Sequence, residues 1–258
     1  MDITSLQNPR VKQIVKLRDD KKQRQRDGLM LVEGYDEISL ALSAGHVPTT
    51  RLTAPQLARR EISRVSAEVI TVSPEVFGKI SYRENPDGWL GIFPVPRLSL
   101  EDLKLGDPPL VVVAESVEKP GNLGAMLRTA DALGVDAVLV ADPTTDIHNP
   151  NVVRASQGAL FTVPIGVAPT NEVVTWLGRT GITLVATTPS AAKSLWDADL
   201  SGSVAVAVGT ESTGLSTVIL GAATDEITIP TAGNVDSLNA SVTAAIVLCE
   251  AARQRRHP

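Results

Sequence analysis

The apolar positions of this chain come in two periodicities, one helical and one extended, and they alternate. Residues 9–27 are polar with apolar punctuation at Val11, Ile14, Val15 and Leu17, the spacing of a charged surface helix. LMLVEG (29–34) reads as a short strand ending in Gly34. YDEISLALSAG (35–45) reads as a helix stopped by Gly45. RLTA, EVITVS and GWLGIF are further strand candidates, so residues 1–97 predict a small α/β domain. The stretch PVPRLSLEDLKLGDPP then holds Pro94, Pro96, Pro108 and Pro109. Proline fixes φ and removes a backbone donor, so a linker is expected over 98–109.

Beyond Pro109 the alternation is regular. LVVVAESV (110–117) is nearly all apolar, as a strand covered on both faces requires. NLGAMLRTADALG (122–134) repeats Leu123, Met126, Leu127, Ala130 and Leu133 at helical spacing. AVLVA, TVPIGV, ITLVATT, VAVAVGT and EITIP are five more strand candidates, mostly with helical segments between them. The last helix is expected over 237–256, with Leu238, Val242, Ala245, Ile246 and Cys249 along one packing stripe. The fold class is therefore α/β. Residues 110–258 predict a mostly parallel sheet with helices on both faces, and the smaller α/β domain precedes it.

Composition narrows the chemistry. With 43% hydrophobic and 21% charged residues the chain can bury a core. No apolar run is long enough to span a bilayer and no signal-like stretch opens the chain, so a cytoplasmic protein is expected. Cys249 is the only cysteine, and His46, His148 and His257 are scattered, so no metal site is expected. A net charge of −5 looks wrong for binding nucleic acid, yet residues 1–30 carry +4. A phosphate backbone responds to the local field within about 8–10 Å, not to the average charge. Arg10, Lys12, Lys16, Arg24 and Arg26 are candidate phosphate contacts; a solvated helix face is the plainer alternative. Aromatics are only 3%, so stacking on an aromatic platform is not expected to dominate.

Parallel α/β sheets bind ligands outside the carboxyl ends of their strands. Three loops there are unusual: EKPGNLGAMLRTA (118–130), VGTESTGLS (208–216) and IPTAGNVDSLNAS (229–241). GTESTGLS has P-loop glycine spacing, but Leu215 stands where the phosphate-binding lysine belongs. No G-x-G-x-x-G follows a predicted strand, so a dinucleotide site is unsupported.

Taken in order, the three loops resemble the motifs of the SpoU/TrmH family of RNA ribose 2′-O-methyltransferases, in the SPOUT superfamily. Asn122-Leu-Gly124-Ala-Met-Leu-Arg128-Thr129-Ala130 is similar to the first motif and Gly209-Thr-Glu211-Ser-Thr-Gly214-Leu215-Ser216 to the second. Ile229-Pro230, Gly233 and Ser237-Leu238-Asn239-Ala240-Ser241, running into Glu250 and Arg253-Gln254-Arg255, are similar to the third. SLQNPRVKQIVKL, KKQRQRDG and LMLVEG resemble an L30e-like RNA substrate-binding domain often fused to these enzymes.

The resemblance implies a SPOUT fold with a trefoil knot, bound S-adenosylmethionine, and a homodimer whose active site draws on both subunits. It implies an RNA substrate, with 23S ribosomal RNA preferred because the N-terminal domain is similar to that of rRNA-directed members, antibiotic-resistance enzymes among them. Transfer RNA, base methylation and a non-catalytic RNA-binding protein are the alternatives. Implied catalytic residues are Asn122, Arg128, Glu211, Ser237 and Asn239; implied cofactor contacts are Gly209, Thr210, Gly214, Ile229, Leu238 and Asn239. Each has a plainer reading. Asn122 suits an N-cap, Arg128 a solvated surface position and Glu211 an exposed loop carboxylate. Gly209 and Gly214 suit turns, and Ser237 or Asp236 the N-cap of the last helix.

Overall fold

The computed structural model describes residues 2–62, 66–233 and 237–256, and these form two compact units. One contains the chain up to Arg97 together with Asp146–Thr162; the other contains Leu98–Thr145 and the chain from Val163 onward.

In the first unit, strands β1 (Asp2–Ile3), β2 (Leu29–Glu33), β3 (Thr50–Thr53), β4 (Glu68–Val72) and β5 (Trp89–Pro94) form one sheet in the order β1-β4-β3-β5-β2. The polar stretch 9–27 folds as two helices, α1 (Pro9–Asp19) and α2 (Lys21–Asp27), not one. Asp20 breaks it: extended backbone there ends α1, and the Asp20 carboxylate accepts from Lys22 N at 2.8 Å to start α2. Helices α3 (Tyr35–Ser43) and α4 (Pro74–Ile80) complete this part. Val11, Ile14 and Leu17 of α1 are buried against Val76, Phe77 and Ile80 of α4 and against the sheet.

The second unit begins with β6 (Leu110–Glu115), α5 (Pro120–Leu133) and β7 (Ala137–Ala141). The chain then runs through α6 (Pro150–Ser156), which lies against β2 in the first unit. Sequence periodicity left 146–162 inside the second domain, but its anchors belong to the first. Arg24, 3% exposed, holds the Asp146 carboxylate at 2.6 Å, and Phe161 packs on Phe93 at 5.7 Å between centroids. Neither partner is visible in local pattern.

Back in the second unit follow β8 (Ile165–Ala168), α7 (Thr170–Thr180), β9 (Thr183–Thr187), β10 (Lys193–Ser194), β11 (Val204–Val208), α8 (Thr217–Ala222), β12 (Asp225–Thr228) and α9 (Ala240–Arg256). The sheet order is β10-β12-β9-β11-β6-β7-β8, with every pair parallel. Strands β6, β7 and β11 are buried at every position, which explains their unbroken apolar runs. The proline-rich stretch 98–109 packs here and is not a free linker. Leu100, Leu103 and Leu105 join the core, and the Asp136 carboxylate accepts from Gly106 N and Leu110 N at 2.9 and 2.7 Å.

The expected packing stripe of α9 needs correction. The buried face is Ala240, Ala244, Val247, Leu248 and Ala251, whereas Val242 is 45% exposed and Cys249 is exposed. Two apolar stripes share this helix, and sequence alone does not say which faces the core. At the far end of α9 the Arg255 guanidinium donates to the carbonyls of Leu200, Gly202, Pro108 and Pro109. Removing it strands four acceptors. Arg255→Ala is expected to cost about 2–3 kcal/mol, read as a lower urea midpoint of unfolding. An unchanged midpoint would show that water replaces the clamp.

Candidate functional site

Strands β9, β11 and β12 are neighbours, and their carboxyl ends open onto one cleft of about 360 Å³. Thr187 ends β9 and Thr188 and Pro189 follow it, residues 209–214 follow β11, and Ile229 and Thr231 follow β12. Ser237, Leu238, Ala240 and Thr243 close it from the start of α9. Of the sequence candidates, Gly209, Thr210, Glu211, Gly214, Ile229, Ser237 and Leu238 all line this cleft. Thr187, Thr188 and Pro189 at the end of β9, and Thr243, were not foreseen. The strand-end position of Thr187–Pro189 is the signal that could have found them, since ligands collect at such ends.

The loop after β11 is built by its own backbone. Thr210 N and Gly214 O, and Gly214 N and Thr210 O, exchange hydrogen bonds at 3.1 Å. Thr213 N donates to Thr210 Oγ1 at 3.0 Å, so Thr210 staples the loop as well as facing the cleft. A methyl placed on Gly209 would run into the Gly214 carbonyl and lie 2.6 Å from Leu215 N. Gly214 has φ +69 with open space around it, a left-handed turn position. The glycines thus serve the loop's closure first.

That closure has a buried anchor the sequence analysis did not single out. Glu115, at the end of β6 and 2% exposed, accepts from Ser216 N at 2.7 Å and from Ser216 Oγ at 2.6 Å. Ser216 in turn caps α8 by accepting from Ile219 N. Thr170 Oγ1 at the start of α7 also donates to Glu115, at 3.0 Å. A carboxylate ending an otherwise apolar buried strand was the available clue, because such a group needs donors.

Beside the cleft, one residue from each motif converges. Glu211 Oε1 accepts from Asn122 Nδ2 at 2.9 Å and from Asn239 Nδ2. Asn239 Nδ2 also donates to Asn122 Oδ1 at 3.1 Å. Lys119 Nζ donates to Glu211 Oε2, a contact only the fold reveals. That donation first, then the Asn122 amide, holds the Glu211 carboxyl below the usual carboxylate range, so it is ionised at neutral pH.

Two cap expectations change. Helix α5 starts at Pro120 and its cap position is Lys119, so Asn122 lies inside the first turn with its side chain free for this network. Asn239 itself caps α9, its Oδ1 accepting from Ser241 N at 2.9 Å and Ser241 Oγ at 2.7 Å. Asp236 lies outside the described residues, and Ser237 lines the cleft instead. Asn239 therefore spends its carbonyl on the helix and its amide on Glu211.

Arg128 is not brought into this network. It is exposed on α5, and its side chain makes no hydrogen bond or ion pair among the described residues. The basic candidates of the first unit divide as well. Lys12 and Lys16 are exposed, Arg26 is exposed beside Gln23 and Asp27, and Arg10 pairs with Glu68 at 2.6 Å. Arg24 as a phosphate contact is corrected: at 3% exposure its guanidinium is consumed by Asp146 and by the carbonyls of Leu17 and Arg18. Charge in a sequence does not reveal that a basic residue is a buried strut.

The fold agrees with comparison to known proteins. Residues 109–249 match the SpoU rRNA Methylase family, and residues 8–91 match the MRM3-like substrate binding domain. The chain is 32% identical to the 23S rRNA (uridine(2479)-2′-O)-methyltransferase of Streptomyces viridochromogenes, over 98% of this chain and 92% of that one. Among solved structures, an RNA 2′-O ribose methyltransferase superposes with a TM-score of 0.86 at 40% identity, covering 99% of this chain and 100% of that one. The S-adenosylmethionine-bound rRNA methyltransferase of Sinorhizobium meliloti superposes with a TM-score of 0.89 at 32% identity, covering 98% and 97%.

Proposed function

This chain belongs to the SpoU rRNA methylase family, and on that premise we propose that it methylates a ribose 2′-oxygen of 23S ribosomal RNA in the cytoplasm, using S-adenosylmethionine. The observation that carries the reading is the junction between the strand-end cleft and the Asn122–Glu211–Asn239 network.

The cleft's chemistry fits the cofactor. Its size lies in the ordinary range for small-molecule sites. Ile229 and Leu238 offer apolar walls for an adenine, and the 209–214 backbone offers polar groups at close approach. When bound, S-adenosylmethionine supplies an activated methyl carbon.

The residues of the chain then divide the remaining work. Gly209, Thr210 and Gly214 shape the loop that holds the cofactor. Asn122, Glu211 and Asn239, with Ser237 at the cleft rim, orient the ribose hydroxyl. Lys119 fixes the second oxygen of Glu211. Arg128 steadies the developing charge on the oxygen or grips the adjacent phosphate, because a guanidinium holds its proton too tightly to be a good base. The catalytic contribution is positioning plus electrostatic help.

Arg128 reaches this network from a second copy of the chain. The outward apolar stripe of α9, with Val242, Ile246 and Cys249, supports a homodimer through that face.

The first unit selects the RNA, with Lys12 and Lys16 as phosphate contacts alongside Arg10 and Arg26. Lys12→Gln combined with Lys16→Gln is expected to flatten the slope of log affinity against log salt by about 1–2. An unchanged slope rejects those lysines as part of the footprint.

The reading is tested by incubating 23S rRNA with trideuteromethyl-labelled S-adenosylmethionine and digesting it to nucleosides. Label on a 2′-O-methyl ribose is expected; label on a base, or none, overturns it.

A further inference from the structure

We propose that a groove in the first unit, where Tyr82 meets Arg154, binds one unpaired nucleotide of the substrate RNA, with its base on the Tyr82 ring and its phosphate on Arg154. The inference rests on the RNA reading above and adds a base-recognition point to a footprint so far made only of lysines and arginines.

The groove, about 950 Å³, lies between residues 82–85 and residues 154–157. Tyr82 is 43% exposed, in a chain with only two tyrosines. It is presented by a rigid loop. Tyr82 N donates to Glu33 Oε2 at 2.7 Å, Ser81 is 5% exposed, and Arg18 Nη1 donates to Ser81 O at 2.7 Å. A fixed, solvent-facing aromatic loses little entropy when something stacks on it. The Arg154 guanidinium lies 5.5 Å from the ring centroid, so a cation and a π-face are already adjacent.

Charge accounting favours a nucleotide over a bare anion. Asp36 is paired with Arg60 and Glu37 with Arg83, which leaves Arg154 and Glu84. Among the described residues Arg154 has one side-chain hydrogen bond, to the neutral Asn151 amide at 3.3 Å. Asn85 and Gln157 are exposed, and their amides take no hydrogen bond from described residues. A carboxylate and two amides offer both donors and acceptors, as the edge of a base requires and a phosphate alone does not.

The backbone points the same way. Gln157 caps α6 with φ 51, a left-handed position that glycine fills at lower cost, yet a glutamine stands there and lines the groove. The buried Arg24–Asp146 pair pins the start of the segment that carries Arg154 and Gln157.

The test uses the full-length protein, a mixed-sequence single-stranded RNA 10-mer and a duplex of the same sequence, read by fluorescence anisotropy. The wild type is expected to prefer the single strand. Tyr82→Ala should weaken that binding about tenfold, whereas Tyr82→Phe keeps it. Arg154→Ala should weaken it about fivefold and make the salt slope shallower by about one. Wild-type-like binding by Tyr82→Ala and Arg154→Ala, equal affinity for the duplex, or no RNA binding at all overturns the proposal. Calorimetry with S-adenosylmethionine on the same proteins judges the methyltransferase reading separately, since none of these residues lines the cofactor cleft.

Discussion

Arg128→Ala is expected to lower kcat by about 10²–10⁴-fold while leaving S-adenosylmethionine affinity within about twofold of the wild type. The size follows from the work assigned to the residue. The 2′-oxygen must lose a proton as the carbon–oxygen bond forms, and an unmet charge on that oxygen raises the barrier directly. The cofactor should not sense the change, because Arg128 lies outside the cleft. Stability should not sense it either: the side chain is exposed and makes no hydrogen bond among the described residues. Arg128→Lys keeps the charge but loses the planar fork, so an intermediate rate is expected. Single-turnover kinetics at saturating cofactor measure both variants. A near-normal rate for the lysine variant at pH 7–8 would remove any need for a guanidinium.

Gly209→Ala is expected to weaken S-adenosylmethionine binding about 100-fold, with the helical circular dichroism retained, because the loss is confined to one loop of the ligand pocket. A side chain added at a crowded position is often relieved when a flexible neighbour swings away. Here the neighbours are the Gly214 carbonyl and Leu215 N, both backbone, and both held by the Thr210–Gly214 exchange. The loop must open to admit the methyl, which removes the wall of the cleft. Gly214→Ala is the contrast. It meets nothing within 4 Å and bears only the left-handed backbone, at a cost of about 1–2 kcal/mol. Calorimetry should therefore rank Gly209→Ala well below Gly214→Ala. Equal affinities would mean that the loop remodels freely around the cofactor.

Much of the second unit was legible because buried parallel strands leave unbroken apolar runs. VVVAE, AVLVA and VAVAV each became a strand of the central sheet. The motif loops were legible because glycine, asparagine and serine cluster where strands end. The reason for Gly209 was not, since it lies in the loop's fold-back on itself. Pairings across long separations were equally hidden. Arg24 with Asp146, Lys119 with Glu211 and Glu115 with Ser216 each join residues some 90 to 120 positions apart, and nothing local to either partner names the other. Helix α9 shows the limit most plainly. Small and apolar residues occur on two of its faces, and the period of the pattern does not distinguish the core face from the one left exposed.

We propose that the cofactor cleft of one chain is completed by Arg128 of another. Arg128→Ala keeps the cleft and lacks the arginine; Gly209→Ala keeps the arginine and lacks the cleft. Co-expressed with different tags and purified together, the two inactive proteins should form mixed dimers in which one site has every group intact. Methyl transfer to 23S rRNA should then return to about a quarter of the wild-type rate for random pairing. A mixture as inactive as its parents, with mixed dimers shown to be present, would contradict the account and place Arg128 in the service of its own chain.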